Sequence, residues 1–247
     1  SYQIGSQSLT KKDVADYLNQ PALTPLASVL KAQATAKPKS PERKPGSPDL
    51  ELTAVEAVAW DFKNDFYFFS KNIDEVRPMA SLTKLVTAAV VLDSISPEEI
   101  VTVSPAAILN EGDQGNLRAG ETLSARDLMA AALLESSNDA AYALAEYTGA
   151  RMATNPEYPA PPIRVFVRAM NEKFNDLGFT SSNFSDPTGL EDSKSFSTAR
   201  DFSNFIKYLR NNGYKEIWDI LRQPSYQATA RNGLAMHEFK STNPFLE

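Results

Sequence analysis

The chain has 247 residues, enough for one large domain plus a tail, and its 42% hydrophobic and 23% charged content is ordinary for a globular protein. A formal net charge of −6 argues against a nucleic-acid surface, and the lack of any cysteine excludes disulfides and a thiolate nucleophile. The single histidine, His237, reads as a strand residue and argues against most metal sites and against a Ser-His-Asp triad, so a serine enzyme here needs a different base.

From the N-terminus, a short helix is predicted over Thr10–Asn19, with Thr10 as its cap. Pro21, Pro25 and the Pro/Lys-rich stretch from Lys37 to Pro48 have almost nothing to bury and read as a semi-extended linker. Residues 1–50 therefore form a helix plus linker, and residues 51–247 form the folded domain. Val55–Asp61 and Phe66–Ser70, separated by Phe62-Lys63-Asn64-Asp65, predict a β-hairpin. A helix begins near Ser81. Ser124 caps a second helix through Leu134, and a third runs from about Asp139 to Tyr147, ended by Gly149. Pro161-Pro162 opens a fourth, running to Leu177 and stopped by Gly178, and Ser197 caps a fifth from about Thr198 to Leu209. Tyr226–Arg231 and Leu234–Phe239 flank Asn232-Gly233, a two-residue hairpin signal. Strands at both ends with helices between them predict an α+β domain whose sheet pairs N- and C-terminal segments. The chain contains no run of 18 apolar residues, so no spanning helix is expected, and it carries no basic-then-apolar leader; any signal or anchor is expected upstream or already removed.

The chemistry concentrates at Ser81-Leu82-Thr83-Lys84, which opens the apolar run Leu85–Leu92. Residues three apart share a helix face, so Ser81 Oγ and Lys84 Nζ can meet. An apolar setting disfavours the charged lysine and equips it to accept the serine proton, and the helix N-terminus favours the developing alkoxide. Ser8-Leu9-Thr10-Lys11 is the same tetrapeptide and Ser28–Lys31 has the same spacing, but the helix after Lys11 has a wet face, so Ser8 and Lys11 read as a helix start and a solvated lysine. Downstream, Ser136-Ser137-Asn138 falls between two predicted helices, where a hydroxyl can relay a proton and an amide can hold a substrate carbonyl or the lysine. Ser181-Ser182-Asn183 and Ser241-Thr242-Asn243 fit the same pattern but read as turn chemistry.

Together these segments resemble the penicillin-binding D-alanyl-D-alanine carboxypeptidases, whose motif set is Ser-x-x-Lys, Ser-x-Asn and Lys-Thr-Gly. The likeness extends through Pro78–Ala88, Gly120-Glu121-Thr122-Leu123, Ser136–Ala145, Asp186-Pro187-Thr188-Gly189-Leu190 and Ser197–Asp201, covering about Leu52–Leu246. It implies a DD-peptidase/β-lactamase-like α+β fold, with a mainly antiparallel sheet flanked by helices and a helical subdomain carrying the second motif. It implies that Ser81 attacks the carbonyl of a terminal D-Ala-D-Ala bond of a peptidoglycan stem peptide, with its backbone N–H as half of the oxyanion hole. Lys84 would take the serine proton, Ser136 would pass a proton to the leaving D-alanine, and Asn138 would bind the substrate amide. β-Lactams would act as inhibitors, no metal or organic cofactor is implied, and the location would be extracytoplasmic, with residues 21–48 as a spacer to an anchor outside this sequence.

One departure stands out, because no Lys-Thr-Gly occurs in the chain. The resemblance would put it about a dozen residues beyond a segment like Thr242–Leu246, so the C-terminal strands are expected to be missing and both ends to be cut. Three rival readings follow from the same residues. A β-lactamase needs a Glu-x-x-Leu-Asn pattern, which Glu172-Lys173-Phe174-Asn175 misses by one residue; Glu172 reads as a solvated charge. A DD-endopeptidase would use the same site, although Ser136–Ala140 is closer to the carboxypeptidase form. A catalytically silent peptidoglycan-binding relative draws support only from the missing third motif.

Overall fold

The computed structural model describes residues 42–109, 116–153, 160–190 and 194–246. The helix expected over Thr10–Asn19, and with it Ser8, Lys11, Ser28 and Lys31, lies outside the described residues. The chain forms two units, one of residues up to Glu51 with the hairpin tip Asp61–Phe66, the other of Leu52–Trp60 with Tyr67–Glu247. In the first, Arg43 pairs with Asp49 at 2.7 Å, and the Asp61 carboxylate accepts the N–H groups of Lys63 and Asn64 at 2.9 and 3.1 Å. The second carries the rest of the fold.

The expected N-terminal hairpin forms from β1 (Ala57–Asp61) and β2 (Phe66–Lys71). β3 (Arg77–Pro78) leads through a 3₁₀ turn at Ala80–Leu82 into helix α1 (Thr83–Ser94). A helix as apolar as α1 has no wet face, and Val86, Ala89 and Val91 are wholly buried. β4 (Ile100–Thr102) pairs with β5 (Thr122–Ser124), whose last residue is also the cap of α2 (Ala125–Leu134). As the sequence predicts, Ser124 Oγ accepts the Asp127 N–H, and the Asp127 carboxylate returns the bond to the Ser124 N–H, both at 3.1 Å. α3 (Asn138–Met152) and α4 (Pro162–Asp176) pack closely, and α1 rests against both.

Here one boundary differs from expectation. Gly149 does not end α3, which continues to Met152; a Cβ at Gly149 would lie 2.0 Å from the Pro162 carbonyl oxygen, so the glycine lets two helices approach. β6 (Phe196–Ser197) pairs with β3 and precedes α5 (Ala199–Asn211). The cap of α5 is Thr198, not Ser197: Thr198 Oγ1 accepts the Asp201 N–H at 3.1 Å, while Ser197 is in the strand with its hydroxyl 2.7 Å from that of Ser182. α6 (Lys215–Leu221) is an additional two-turn helix.

The C-terminal hairpin consists of β7 (Ser225–Thr229) and β8 (Met236–Lys240). Its turn is wider than the two residues predicted. Asn232-Gly233 sits at its tip, but the strands stop at Thr229 and Met236, the Gly233 N–H bonds the Ala230 carbonyl, and the Ala230 N–H bonds that of Ala235. Among the described residues the strands make four separate two-stranded antiparallel ladders, so the expected pairing of N- and C-terminal segments in one sheet is not found. The polar groups of the C-terminal hairpin are engaged elsewhere. Arg231 N–H bonds the Thr122 carbonyl (2.7 Å), Tyr226 OH bonds Asp127 (2.8 Å), and His237 Nε2 lies 2.9 Å from the wholly buried Glu121. His237 is thus a strand residue, as predicted, with a buried carboxylate for a partner.

Candidate active site

The tight turn before α1 puts Ala80 at φ +47°, a region non-glycine residues adopt only under constraint, and this turns Ser81 outward at the helix start. Ser81 is exposed, whereas Lys84, one turn along the same face, is only 2% exposed. Lys84 Nζ donates to Ser81 Oγ at 3.1 Å and to the backbone carbonyl of Thr188 at 2.9 Å. The second motif comes from the α2–α3 junction. Ser136 has φ +63°, and its hydroxyl donates to Ser81 Oγ at 2.7 Å. Ser137 caps α3 by accepting the Ala140 N–H at 3.1 Å, so the junction spends one serine on the helix and turns the other to the nucleophile.

Three of the four residues singled out in the sequence therefore meet. They line a cleft of about 390 Å³ whose walls are largely apolar, with Leu85, Leu133 and Leu221 among them and Thr242 at one side. Asn138 opens α3 two residues beyond Ser136, is 5% exposed and does not line this cleft. Of the other Ser-x-Asn segments, Ser241-Thr242-Asn243 performs the turn chemistry expected, whereas Ser182 and Asn183 make long-range contacts instead, Asn183 Nδ2 donating to the Lys194 carbonyl at 2.6 Å. Ser182 Oγ bonds the Asp201 carboxylate (2.9 Å), and Ser241 Oγ accepts the Asn243 N–H (3.2 Å). Glu172 is exposed on α4, a solvated charge.

Sequence reasoning assigned no role to two features of the site. The Thr188 carbonyl comes from backbone, which no residue identity marks; its only signal is Asp-Pro-Thr-Gly, a turn sequence with a mechanism. Thr242 is carried to the cleft by the C-terminal hairpin, held there by its N–H on the Leu134 carbonyl (3.1 Å) and by the Lys240 N–H on the Glu135 carboxylate (2.9 Å).

A family model described as D-alanyl-D-alanine carboxypeptidase matches residues 42–246. The chain belongs to this family. Among curated D-alanyl-D-alanine carboxypeptidases and endopeptidases, it is 35% identical over 212 residues to the D-alanyl-D-alanine endopeptidase of Pseudomonas aeruginosa, covering 81% of this chain and 64% of that protein. It is 31% identical over 196 residues to the endopeptidase of Escherichia coli K12, covering 78% and 58%. It is 26% identical over 192 residues to the D-alanyl-D-alanine carboxypeptidase DacF of Bacillus subtilis, covering 69% and 46%. The chain thus spans less than two thirds of the length of each of these relatives. The crystal structure of the Streptomyces K15 DD-transpeptidase has the same fold, with a TM-score of 0.71 at 24% identity over 81% of this chain and 78% of that one. The α+β DD-peptidase fold expected from the sequence is borne out.

Proposed function

We propose that this D-alanyl-D-alanine carboxypeptidase family member is a serine-type peptidase that trims D-Ala-D-Ala-terminated stem peptides of peptidoglycan through a Ser81 acyl-enzyme. The observation that carries this reading is the position of Ser81 Oγ, 3.1 Å from Lys84 Nζ and 2.7 Å from Ser136 Oγ at the mouth of an apolar-walled cleft. Lys84 takes the Ser81 proton as Oγ bonds to the scissile carbonyl carbon. The Ser81 N–H faces the resulting oxyanion. Ser136, hydrogen-bonded to Ser81, passes its proton to the amine of the departing D-alanine as the carbon–nitrogen bond breaks, and takes a proton in return from the protonated Lys84. Water then releases the shortened peptide. A β-lactam presents a strained amide to the same serine and stops at the acyl-enzyme.

Mass mapping after penicillin treatment tests the assignment. A penicilloyl group on Ser81 alone supports it, and a label on Ser136 with Ser81 free overturns it. A second reading, endopeptidase action on cross-links, is favoured by the names of the relatives at 35% and 31% identity. Monomeric pentapeptide and cross-linked dimer muropeptides, offered in parallel, separate the two by which substrate is consumed. Either substrate would be met on the outer side of the cytoplasmic membrane; among the described residues no helix is long and apolar enough to cross a membrane.

A further inference from the structure

Lys84 is held by more than its own helix. The loop Asp186–Leu190 lies across the start of α1 and meets it at three levels. Thr87 Oγ1 donates to the Pro187 carbonyl at 2.7 Å, Lys84 Nζ donates to the Thr188 carbonyl at 2.9 Å, and Gly189 stands so close to Ala80 that a Cβ there would lie 1.9 Å from the Ala80 carbonyl oxygen. Pro187, Thr188 and Gly189 are all buried. One carboxylate shapes this loop. Asp186 Oδ1 accepts the Thr188 N–H (2.7 Å), the Thr188 hydroxyl (2.5 Å) and the Gly189 N–H (2.7 Å), and the Ser195 hydroxyl reaches Oδ2 at 3.4 Å. The Thr188 carbonyl belongs to the planar peptide unit whose N–H is that of Gly189, and Asp186 bonds both that N–H and the N–H of the preceding unit, so it fixes the peptide planes on both sides of the Thr188 Cα.

We propose that Asp186 is a positioning residue for acyl transfer: it folds its loop so that the Thr188 carbonyl fixes Lys84 Nζ on Ser81 Oγ. This rests on the Ser81 acyl-enzyme reading above. In the attack, the Ser81 O–H bond breaks, its proton passes to the Nζ lone pair, the Oγ–carbon bond forms and the carbonyl electrons move to the oxyanion. Nζ goes from two hydrogens to three. A carbonyl oxygen can only accept, so Thr188 takes an N–H bond before and after the transfer, and the lysine need not turn during it. A carboxylate is suited to holding that carbonyl, because it gathers three donors at one oxygen and charge-assisted bonds are the stronger kind.

Pre-steady-state acylation of the full-length protein by a fluorescent penicillin tests this. Asp186→Ala is expected to lower the limiting acylation rate by about 10²-fold while changing the dissociation constant of the preceding complex less than about threefold. The titre of active sites is expected to stay at one per chain. Asp186→Asn, which keeps an acceptor at Oδ1, is expected to recover most of the rate, and it decides the question where the alanine variant fails to fold. A purely structural loop would do the reverse, lowering the titre while the surviving sites react at the wild-type rate; that result overturns the proposal, as does an asparagine variant as slow as alanine at full titre. A fluorophosphonate, which reports the nucleophilicity of Ser81 without any stem peptide or β-lactam, is run beside the penicillin. Dependence on Asp186 with that probe, together with no penicilloyl-Ser81, sinks the substrate reading and leaves the positioning role standing.

Discussion

Two lysines leave water when this chain folds, and the company each keeps is different. Lys173, its side chain 11% exposed, places Nζ 2.7 Å from the Asp93 carboxylate and 2.7 Å from the Tyr214 hydroxyl, with the rings of Tyr208 and Tyr214 at 4.9 and 5.1 Å. Lys84, 2% exposed, places Nζ on the Ser81 hydroxyl and the Thr188 carbonyl. A carboxylate and two ring faces reward a permanent cation. A hydroxyl and a carbonyl offer bonds that an amine makes with or without its extra proton. The first arrangement ties α1, α4, α5 and the segment before α6 together; the second is the one through which the proposed mechanism moves a proton.

The sharpest way to break this comparison is to put arginine at both positions. Arginine supplies charge but cannot act as a base at any working pH. Lys84→Arg is expected to lose about 10²–10⁴-fold in acylation rate, close to the loss in Lys84→Ala, as general-base removal typically does. Ser81→Ala is expected to abolish labelling with less than about 0.5 kcal/mol change in stability, since the exposed hydroxyl does little for the fold. Lys173→Arg is expected to acylate at the wild-type rate. Stopped-flow acylation of the variants decides it. A Lys84→Arg protein that kept most of its rate would make Lys84 an electrostatic group, and the contrast with Lys173 would disappear.

Next in size is Gly189→Ala. The loop that places Thr188 against Lys84 crosses the Ala80 turn at a residue with φ +85°, where a methyl would overlap the Ala80 carbonyl. A left-handed alanine with a backbone clash is expected to cost about 2–4 kcal/mol. The loop has to lift to accommodate it, so acylation should fall along with the urea midpoint. Acylation at the wild-type rate with a lowered midpoint would separate the loop's fit from the chemistry of Lys84.

The same comparison shows what the sequence could and could not reveal. The Ser81/Lys84 pair was legible because its partners are three residues apart on one helix, and Ser136 because it falls between two capped helices. The Thr188 carbonyl was not, since every residue has a carbonyl and only folding selects one. Lys173's surroundings were hidden for a related reason: Asp93 is 80 residues away and Tyr214 is 41 away. Helix starts at Ser124 and Pro162 were readable from capping chemistry. Gly149 was misread because glycine serves both to end helices and to let them touch. β4, β5, β3 and β6 are two or three residues long, too short for a period-two pattern to register. The strand pairing failed at longer range, because the hydrogen bonds that hold the C-terminal hairpin go to residues 120–135 rather than to an N-terminal strand edge.

Smaller effects test the structural lysine. Lys173→Met removes the cation and leaves Asp93 with the Tyr214 hydroxyl alone. Because Asp93 remains 43% exposed, the loss should fall between that of an exposed and a buried pair, about 1–3 kcal/mol. Equilibrium urea unfolding measures it, and acylation per folded molecule should not change. A loss confined to acylation would mean that Lys173 communicates with the cleft and that the two lysines are not independent.

The smallest predicted effect is the most diagnostic of why Lys173 is charged. Tyr214 OH donates to Asp93 at 2.6 Å and accepts from Lys173. Burial first, and then the bond to Asp93, push this phenol well above its ordinary value of 10.0. Because the folded value is the higher one, the contribution is fully present below about pH 10 and is lost as pH rises from there towards the folded pKa, while the unfolded chain ionises. Tyr214→Phe leaves Lys173 and Asp93 in direct contact, so at pH 7 it is expected to cost only about 1 kcal/mol. At pH 11 the wild type gives up part of its advantage and the phenylalanine variant, having no phenol at this position, does not. Tyr226 is also raised, by burial and then by its bond to Asp127, so both proteins weaken in alkali and only the difference between them isolates Tyr214. Urea midpoints at pH 7, 9 and 11 should therefore show a gap that is steady up to pH 9 and narrows at pH 11. A gap that stayed constant to pH 11 would mean that the phenol ionises as readily in the folded protein as in the unfolded chain. Asp93 would then be bound by the lysine alone, and the aromatic faces, rather than the hydroxyl, would carry the remaining stabilisation of the buried cation.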